Sequence, residues 1–354
     1  MQAYINSTGI ISPQQTYDGT FFATPIVNTE SMILNAMEPV YKEIINPVLL
    51  RRMSHVIKMG LGASNLCLKA AEGIRPDAVV VGTGLACLYD LEKFLLSIDD
   101  YHEKMLSPIP FINSSHNTVS SQIAIMNKLT GYNITYCHRA ISFESALMDS
   151  LMLIAENEAD NVLAGGIDEF LHNYYAIFNL LSYWRKETIS NLSLFEGSHA
   201  GSIPGEGAAF FLLGKEKNEN TLAKLIDVQT FVTKCDVSYL NNEIDNLLKR
   251  NGLQRKDVDL FLLGRNGDNQ HDGIYLDLEK RLPETSCVAY FKHLCGEYMT
   301  ASSFATWVAA NILKTQNIPD CLIKKAPAQS QIKRILIYNH YLEKEHGLIL
   351  LEAK

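Results

Sequence analysis

The stretch "YNITYCHRAISFESALMDSLMLIAENEADNVLAGGIDE", from Tyr132 to Glu169, shows the local pattern on which the chain is built. It begins as a β-rich run, passes through a short turn into an amphipathic helix, and ends in a buried strand with two glycines. This order is typical of α/β proteins, in which helices cover a largely parallel sheet. Cys137 and His138 stand side by side before the turn, which raises the question of whether the turn carries a nucleophile.

The rest of the chain repeats the same alternation. Before this stretch, "DAVVVGTG" reads as a buried strand and "LYDLEKFLLSI" as the helix that follows it. From "LAKLIDVQTFVTK" to "GLILLEA", a second series of strands and helices follows in a similar order. We predict two α/β halves, residues 1–215 and 216–354, that arose by internal duplication and pack as one body, because no low-complexity linker separates them.

Composition excludes several classes of function. The 354 residues are 47% hydrophobic and 20% charged, which is ordinary for a folded globular protein. A net charge of −8 argues against nucleic-acid binding, since phosphates need a basic surface. The seven cysteines form no CxxC pair, which argues against a zinc site or a disulfide framework. With no leader peptide and no membrane-length apolar run, we expect a cytoplasmic protein without membrane insertion, metal or cofactor.

Five motifs occur in the order found in one enzyme family. They are "STGIISP", "RRM" at Arg51–Met53, "ADNVLAGGIDE", "GEGAAFFLL" and "YFKHLCGEYMTASS". Together they resemble the β-ketoacyl synthases, the condensing enzymes of the thiolase fold, nearly from end to end. The resemblance implies two duplicated α/β halves in a five-layer αβαβα sandwich.

The resemblance also implies where the nucleophile should stand. In the family, a cysteine at a helix N-terminus takes the acyl chain as a thioester. Counting nine residues forward from Gly131 gives Ala140, and counting twenty-five back from Gly165 gives Ala140 again. The pseudo-nucleophile elbow near residue 140 therefore holds an alanine. Cys137 is the alternative nucleophile, but that register needs a three-residue deletion before it and an insertion after it.

Two histidine positions of the family are also changed. The best match for the first histidine is Asn266, followed by the retained Gly267. The second should follow a glycine, five residues after a lysine, and here Lys292 is followed by Glu297 at that position. A carboxylate repels the negative charge that an imidazole would stabilise on a developing enolate. Lys292 and Glu297 could instead pair with each other.

The last family element is a glycine-rich turn between the two C-terminal strands, which supplies an oxyanion N–H. Here the segment reads "YNHYLEKEHGLILL", with Gly347 as its sole glycine, and we expect a bulky, charged loop. The resemblance further places a set of residues near the acyl tunnel, namely Asn113, Asn117, His138, Phe143 and Tyr341.

Three functions remain open. The first is a non-catalytic subunit, similar to the chain length factors of type II polyketide and aryl polyene systems. Such a subunit pairs with an active ketosynthase, or with itself, through the strand at residues 134–139, and works with an acyl carrier protein.

The second is an active ketosynthase that uses Cys137 with His138, His271 or His293 as helpers. Adjacent strand residues point to opposite faces, however, which disfavours a dyad of Cys137 with His138. The third is a binding module that holds an acyl chain without a synthase partner.

Overall fold

In this computed structural model, which describes residues 2–18, 24–29, 31–327 and 331–354, the chain forms a mixed α/β fold. The strands are β1 Ala3–Ile11, β2 Ala78–Gly82, β3 Tyr132–Tyr136, β4 Asn161–Asp168, β5 Gly207–Gly214, β6 Ala223–Val232, β7 Leu260–Leu263, β8 Cys287–Tyr290, β9 Ile323–Lys325, β10 Arg334–Tyr341 and β11 Glu345–Glu352. The helices are α1 Pro47–Leu50, α2 His55–Ala70, α3 Leu88–Asp100, α4 Pro108–Asn113, α5 Thr118–Met126, α6 Ser142–Ala155, α7 His172–Leu180, α8 Val237–Arg250, α9 Gly273–Glu279, α10 Lys292–Cys295 and α11 Ser302–Thr315. Within these ranges, none of the helices has the length and apolar character needed to cross a membrane.

The strands follow the order β3-β2-β4-β5-β1-β6-β11-β10-β7-β8-β9. The two halves mirror each other from the middle outward, because β5 and β11 pair antiparallel with β1 and β6, while β2 and β7 lie in parallel pairs. The two halves thus share one strand arrangement, as expected of duplicated halves. The halves meet where Ala3 pairs with Leu225 in an antiparallel ladder, so their strands form one continuous sheet. The proposed boundary at residue 215 falls between β5 and β6.

Alternation of side chains along the strands creates the layers. In β4, Val162 and Ala164 face a central core that also contains residues of α6 and α11, whereas Leu163 faces the outer helix α2. In β7, Leu260 faces the same central core, and Phe261 faces the outer helices α8 and α9. Two buried helices therefore lie between the two halves of the sheet, and helices cover both outer faces. This is the expected five-layer arrangement.

The apolar spacing of residues 49–71 predicts one long helix, and the structure divides this region into two helices. The Asn46 side chain accepts the backbone N–H of Val48 and begins α1. After a break at residues 51–54, α2 starts beside the buried Glu169, whose carboxylate accepts the backbone N–H of Val56. A carboxylate from a distant loop thus satisfies the first turn of α2, which local sequence does not reveal.

Candidate functional site

The turn before α6 is the centre of the candidate site. β3 ends at Tyr136, and a short 3₁₀ turn, Arg139–Ile141, leads into α6. Ala140 lies in this turn and is buried, while Cys137 lies outside it, directly after β3. Arg139 has a φ of 54°, in the left-handed region that disfavours side chains with a Cβ. The structure thus puts residue 140 at the N-terminal end of the helix, as the count from the flanking glycines predicts.

The backbone N–H of Ala140 is already bonded within the chain. It donates to Oε2 of Glu345 over 3.0 Å. The other oxygen of this carboxylate, Oε1, lies 3.3 Å from Nε of Arg139. Free N–H groups at the start of a helix attract anions, so a carboxylate is a favourable partner here. The first residue of β11 therefore occupies the donor at the elbow.

A tight turn between β10 and β11 delivers this carboxylate. The backbone N–H of Lys344 donates to the carbonyl of Tyr341 over 3.1 Å, and Leu342 and Glu343 have φ values of 53° and 55°. Two successive left-handed residues define a type I′ turn, which usually contains glycine or asparagine. The sequence led us to expect a bulky loop, and this expectation is wrong. Gly347 lies in β11 and not in the turn.

Three residues that the resemblance places at catalytic positions of the family contact one another. Nζ of Lys292 lies 2.6 Å from Oε2 of Glu297, and Nδ2 of Asn266 donates to the same oxygen over 2.7 Å. Both charged side chains are buried. The oxygen of the Asn266 side chain accepts the backbone N–H of Asp268, which fixes the orientation of the amide. The predicted pairing of Lys292 with Glu297 is confirmed, and its charges are neutralised within the chain.

The cavity beside these groups is small. Its volume is about 30 Å³, and it extends from Glu297 and Met299 past Tyr341 to Trp184. A buried water needs roughly 10–15 Å³ of such space, whereas ligand pockets in proteins span roughly 300–1,000 Å³. This cavity therefore has room for a few waters and not for an acyl chain, whereas a neighbouring cavity of about 790 Å³ shares Glu169, Phe170 and Leu171 with it.

Cys137 and His138 do not form a dyad. Sγ of Cys137 lies 3.7 Å from the carbonyl oxygen of Gly84, and Nδ1 of His138 lies 3.4 Å from Oγ of Ser145. Burial and the nearby carboxylate of Asp168 raise the pKa of the Cys137 thiol. A raised pKa lowers the thiolate fraction that a nucleophile needs at neutral pH.

The other two histidines considered as helpers lie in separate environments. Nε2 of His271 is 3.9 Å from a carboxylate oxygen of Asp268. His293 is buried, its Nε2 is 2.9 Å from the carbonyl oxygen of Cys321, and burial lowers its pKa to about 4. A neutral, buried His293 that bonds a backbone carbonyl has a structural role.

The residues expected along the acyl tunnel are spread over several environments. Tyr341 lines the small cavity. Asn113 is buried at the end of α4, and Asn117 and His138 are exposed. Phe143 is fully buried in the central core. Within the described residues, the structure thus brings one of the five to the cavity, and a tunnel that includes the others remains a prediction.

Asp168 is a site residue that the sequence reasoning missed. Oδ1 accepts hydrogen bonds from the Thr83 hydroxyl and from the N–H groups of Gly84 and Leu85, over 2.8–3.0 Å. Oδ2 accepts the N–H and the hydroxyl of Thr300 over 2.9 Å. Burial raises the pKa of Asp168 to about 6, although these hydrogen bonds act to lower it. The visible signal was an acidic residue at the end of the buried strand "VLAGGID", and its role is to join loops of the two halves.

Comparison with known proteins identifies the family. Residues 27–219, more than half of the chain, match the family model of the β-ketoacyl synthase N-terminal domain. The chain therefore belongs to the β-ketoacyl synthase family, as its motifs indicate.

The fold is similar to that of several solved structures. The ishigamide ketosynthase/chain length factor matches with a TM-score of 0.82 and 14% identity, covering 100% of this chain and 99% of that chain. A β-ketoacyl synthase from Burkholderia phymatum matches with a TM-score of 0.80 and 14% identity, and the match covers 100% of this chain and 99% of that chain. The structure of the ketosynthase ApeO in complex with its chain length factor ApeC, from Xenorhabdus doucetiae, matches with a TM-score of 0.78 and 15% identity. This match covers 99% of this chain and 98% of that chain. The fold is thus the thiolase-like fold of ketosynthases.

Proposed function

We propose that the chain is a non-catalytic ketosynthase-like subunit of the chain-length-factor type. It pairs with an active β-ketoacyl carrier-protein synthase and shapes the tunnel for the growing chain in fatty-acid-like or aryl polyene biosynthesis. The observation that carries this proposal is Ala140 in the turn before α6. A methyl side chain has no atom that can form the acyl thioester of a condensing enzyme.

The charges around the elbow support the proposal. Decarboxylation and condensation both pass through a negatively charged enolate, which an active site stabilises with hydrogen-bond donors. In this chain, Glu297 holds the amide of Asn266 and the ammonium of Lys292, so neither donor is directed into the cavity. The remaining carboxylate at the elbow, Glu345, would oppose the same charge.

One edge of the sheet supports pairing with a second chain. β3 stands at the end of the strand order and pairs with β2 on one side, and the described residues provide no strand on its other side. Large apolar side chains around this edge are more than one-third exposed, which is typical of an interaction surface. They are Tyr132 in β3 and Ile125 on α5, the helix that packs against β3.

The chemistry favours a heterodimer over a homodimer. A homodimer of this chain would carry Ala140 at both elbows and no nucleophile at the family position. An active ketosynthase partner supplies the cysteine and the histidines. The net charge of −8 further suggests that an acidic acyl carrier protein docks on that partner and not on this chain.

Catalysis by Cys137 is the weaker alternative. The raised pKa of its thiol and its place outside the turn both disfavour acylation. His138 lies near Ser145 and is not placed to take the proton of the thiol.

Co-expression tests the proposed function. The chain is produced together with a ketosynthase from the same genome that has the cysteine and both histidines. We expect a one-to-one complex in light scattering, and products whose chain length depends on the presence of this chain. Absence of a complex, together with an unchanged product from the ketosynthase alone, would contradict the proposal.

A further inference from the structure

Glu345 joins two parts of the molecule that are distant in sequence. Its carboxylate, with a side chain that is 12% exposed, contacts both the Ala140 N–H and the Arg139 guanidinium. The Arg139 guanidinium also lies over the ring of Tyr341, 5.7 Å from its centre. A hydrogen bond, an ion pair and a cation–π contact thus join the hairpin of β10 and β11 to the elbow before α6.

We propose that Glu345 acts as an internal plug, which fills the anion-binding position at the elbow and keeps it closed to acyl groups. This inference rests on the proposed function, since it concerns the same site, and it names the residue that closes it. Residue 140 and the plug are then two separate barriers, so restoring a cysteine at position 140 does not by itself restore a reactive site.

The charge of the plug explains why it acts as a second barrier. An acyl carbonyl that approaches the elbow would need the Ala140 N–H, which Oε2 of Glu345 occupies at 3.0 Å. A sulfur at position 140 would lie beside a carboxylate, and a neighbouring negative charge raises the pKa of a thiol. The plug therefore blocks the oxygen-binding donor and disfavours the thiolate at the same time.

The backbone conformations of the elbow and of the hairpin indicate that neighbouring contacts hold Glu345 in place. Arg139, Leu342 and Glu343 all have left-handed φ values, between 53° and 55°, without being glycine. Such conformations persist where neighbouring contacts determine them. The three contacts between elbow and hairpin supply that determination, so a glycine-rich hairpin would not hold a carboxylate in place in the same way.

Alkylation of an introduced cysteine tests the plug on the full chain. In Ala140→Cys, the thiolate sulfur can displace iodide from iodoacetamide, and the rate reports access and thiolate fraction. Trypsin cleaves after Arg139, so residue 140 falls in the peptide 140–185, which contains no native cysteine. Peptide 129–139 contains Cys137 and serves as the internal reference.

Three double variants separate charge from position. A140C/E345A removes the plug, A140C/E345Q keeps its size without its charge, and A140C/E352Q is the matched control. Glu352 is also in β11 and pairs with Arg334 over 2.7 Å, away from the elbow. Thermal unfolding of each variant confirms that it is folded.

We expect A140C/E345A to alkylate at position 140 at least tenfold faster than A140C, relative to Cys137. A140C/E345Q should show a smaller increase, of at least threefold, and A140C/E352Q should stay within twofold of A140C. Equal rates in A140C and in a folded E345 double variant would overturn the plug. If E345A unfolds the chain, the E345Q variant alone decides. Because no partner is needed, failure here is distinct from failure to form a ketosynthase complex.

Discussion

The elbow before α6 and the free edge at β3 lie only a few residues apart, yet they differ in how their polar groups are satisfied. At the elbow, the Ala140 N–H, the Glu345 carboxylate and the pair of Lys292 with Glu297 all find partners within the chain. At β3, the described residues leave the outer backbone groups without a strand partner. The polar groups of the elbow are therefore bonded within the chain, whereas the outer edge of β3 is available to a second chain.

The edge strand at the opposite end of the sheet, β9, differs from β3 in length and charge. β9 has three residues and ends in the exposed Lys324 and Lys325. Short, lysine-containing edges are a common way to prevent strand pairing. β3 has five residues, "YNITY", with neither lysine nor proline, and apolar side chains lie around it. The contrast supports β3 as the edge that binds a partner.

The largest effect on the free energy of unfolding should come from breaking the buried pair of Lys292 with Glu297. Lys292→Ala leaves the Glu297 carboxylate buried without its cation, and breaking a buried pair costs roughly 3–5 kcal/mol of the free energy of unfolding. Urea unfolding measures this loss. The double variant K292M/E297Q removes both charges and keeps an acceptor for Asn266, so it should regain most of the stability. A loss below about 1 kcal/mol in Lys292→Ala would show that this buried ion pair contributes no more than an exposed one.

Charging the surface around the free edge at β3 should weaken binding and leave the fold intact. Ile125 on α5 is 68% exposed near β3, and Ile125→Glu would place an unpaired charge in an apolar interface. We expect the Kd for the ketosynthase partner to rise about 30-fold, which corresponds to about 2 kcal/mol. The matched control is Leu276→Glu on α9, an exposed apolar residue on the outer face of the other half. If calorimetric titration gave equal changes in Kd for the two variants, β3 would not be part of the interface.

One buried group beside the elbow should make the stability depend on pH. Neither carboxylate oxygen of Glu144 has a hydrogen-bond partner of normal geometry among the described residues, and burial raises its pKa from 4.5 to about 7. The folded state thus keeps a proton on Glu144 that the unfolded state loses, so the contribution of Glu144 to stability falls as pH rises from 4.5 to about 7 and then levels.

The loss over this range should be about 3 kcal/mol, from about 1.4 kcal/mol for each pKa unit. Burial also raises the pKa of Asp168 to about 6 and of Glu169 to about 8, so unfolding curves of Glu144→Gln should lose only this part of the pH dependence and show higher stability at pH 7.5. Glu219→Gln, at an exposed glutamate, is the control and should retain the full wild-type slope. A slope that is unchanged in Glu144→Gln would assign it to the other groups.

The smallest effect concerns the turn that delivers the plug. Glu343→Gly relieves a left-handed φ of 55° and should raise the free energy of unfolding by about 1 kcal/mol. Glu343→Ala loses the same side chain but keeps the unfavourable φ, so it should give no gain. Equal stabilities of the two variants in thermal unfolding would mean that this conformation is not strained.

The five layers and the register of the elbow could be predicted because the ordered motifs resemble those of the β-ketoacyl synthases. The resemblance implies the sandwich, and the family's spacings, counted from Gly131 and Gly165, lead to Ala140. The pairing of Lys292 with Glu297 could also be predicted, since both lie near one short turn.

The plug was not predictable for a physical reason. Glu345 follows Ala140 by 205 positions, and its approach depends on a type I′ turn. That turn is formed by Leu342 and Glu343, residues that local preference rarely places there. Tertiary contacts override local preference at this point, and a single sequence carries no signal for such contacts.

The position of the acyl group in the two-chain complex distinguishes a non-catalytic subunit from a catalyst. The complex of this chain with its ketosynthase is incubated with an acyl carrier-protein thioester, and peptide mass spectrometry locates the added mass. The account predicts acylation of the partner's cysteine and an unmodified peptide 129–139, which carries Cys137. Acylation of Cys137 that disappears in Cys137→Ala would contradict it and make this chain the catalyst.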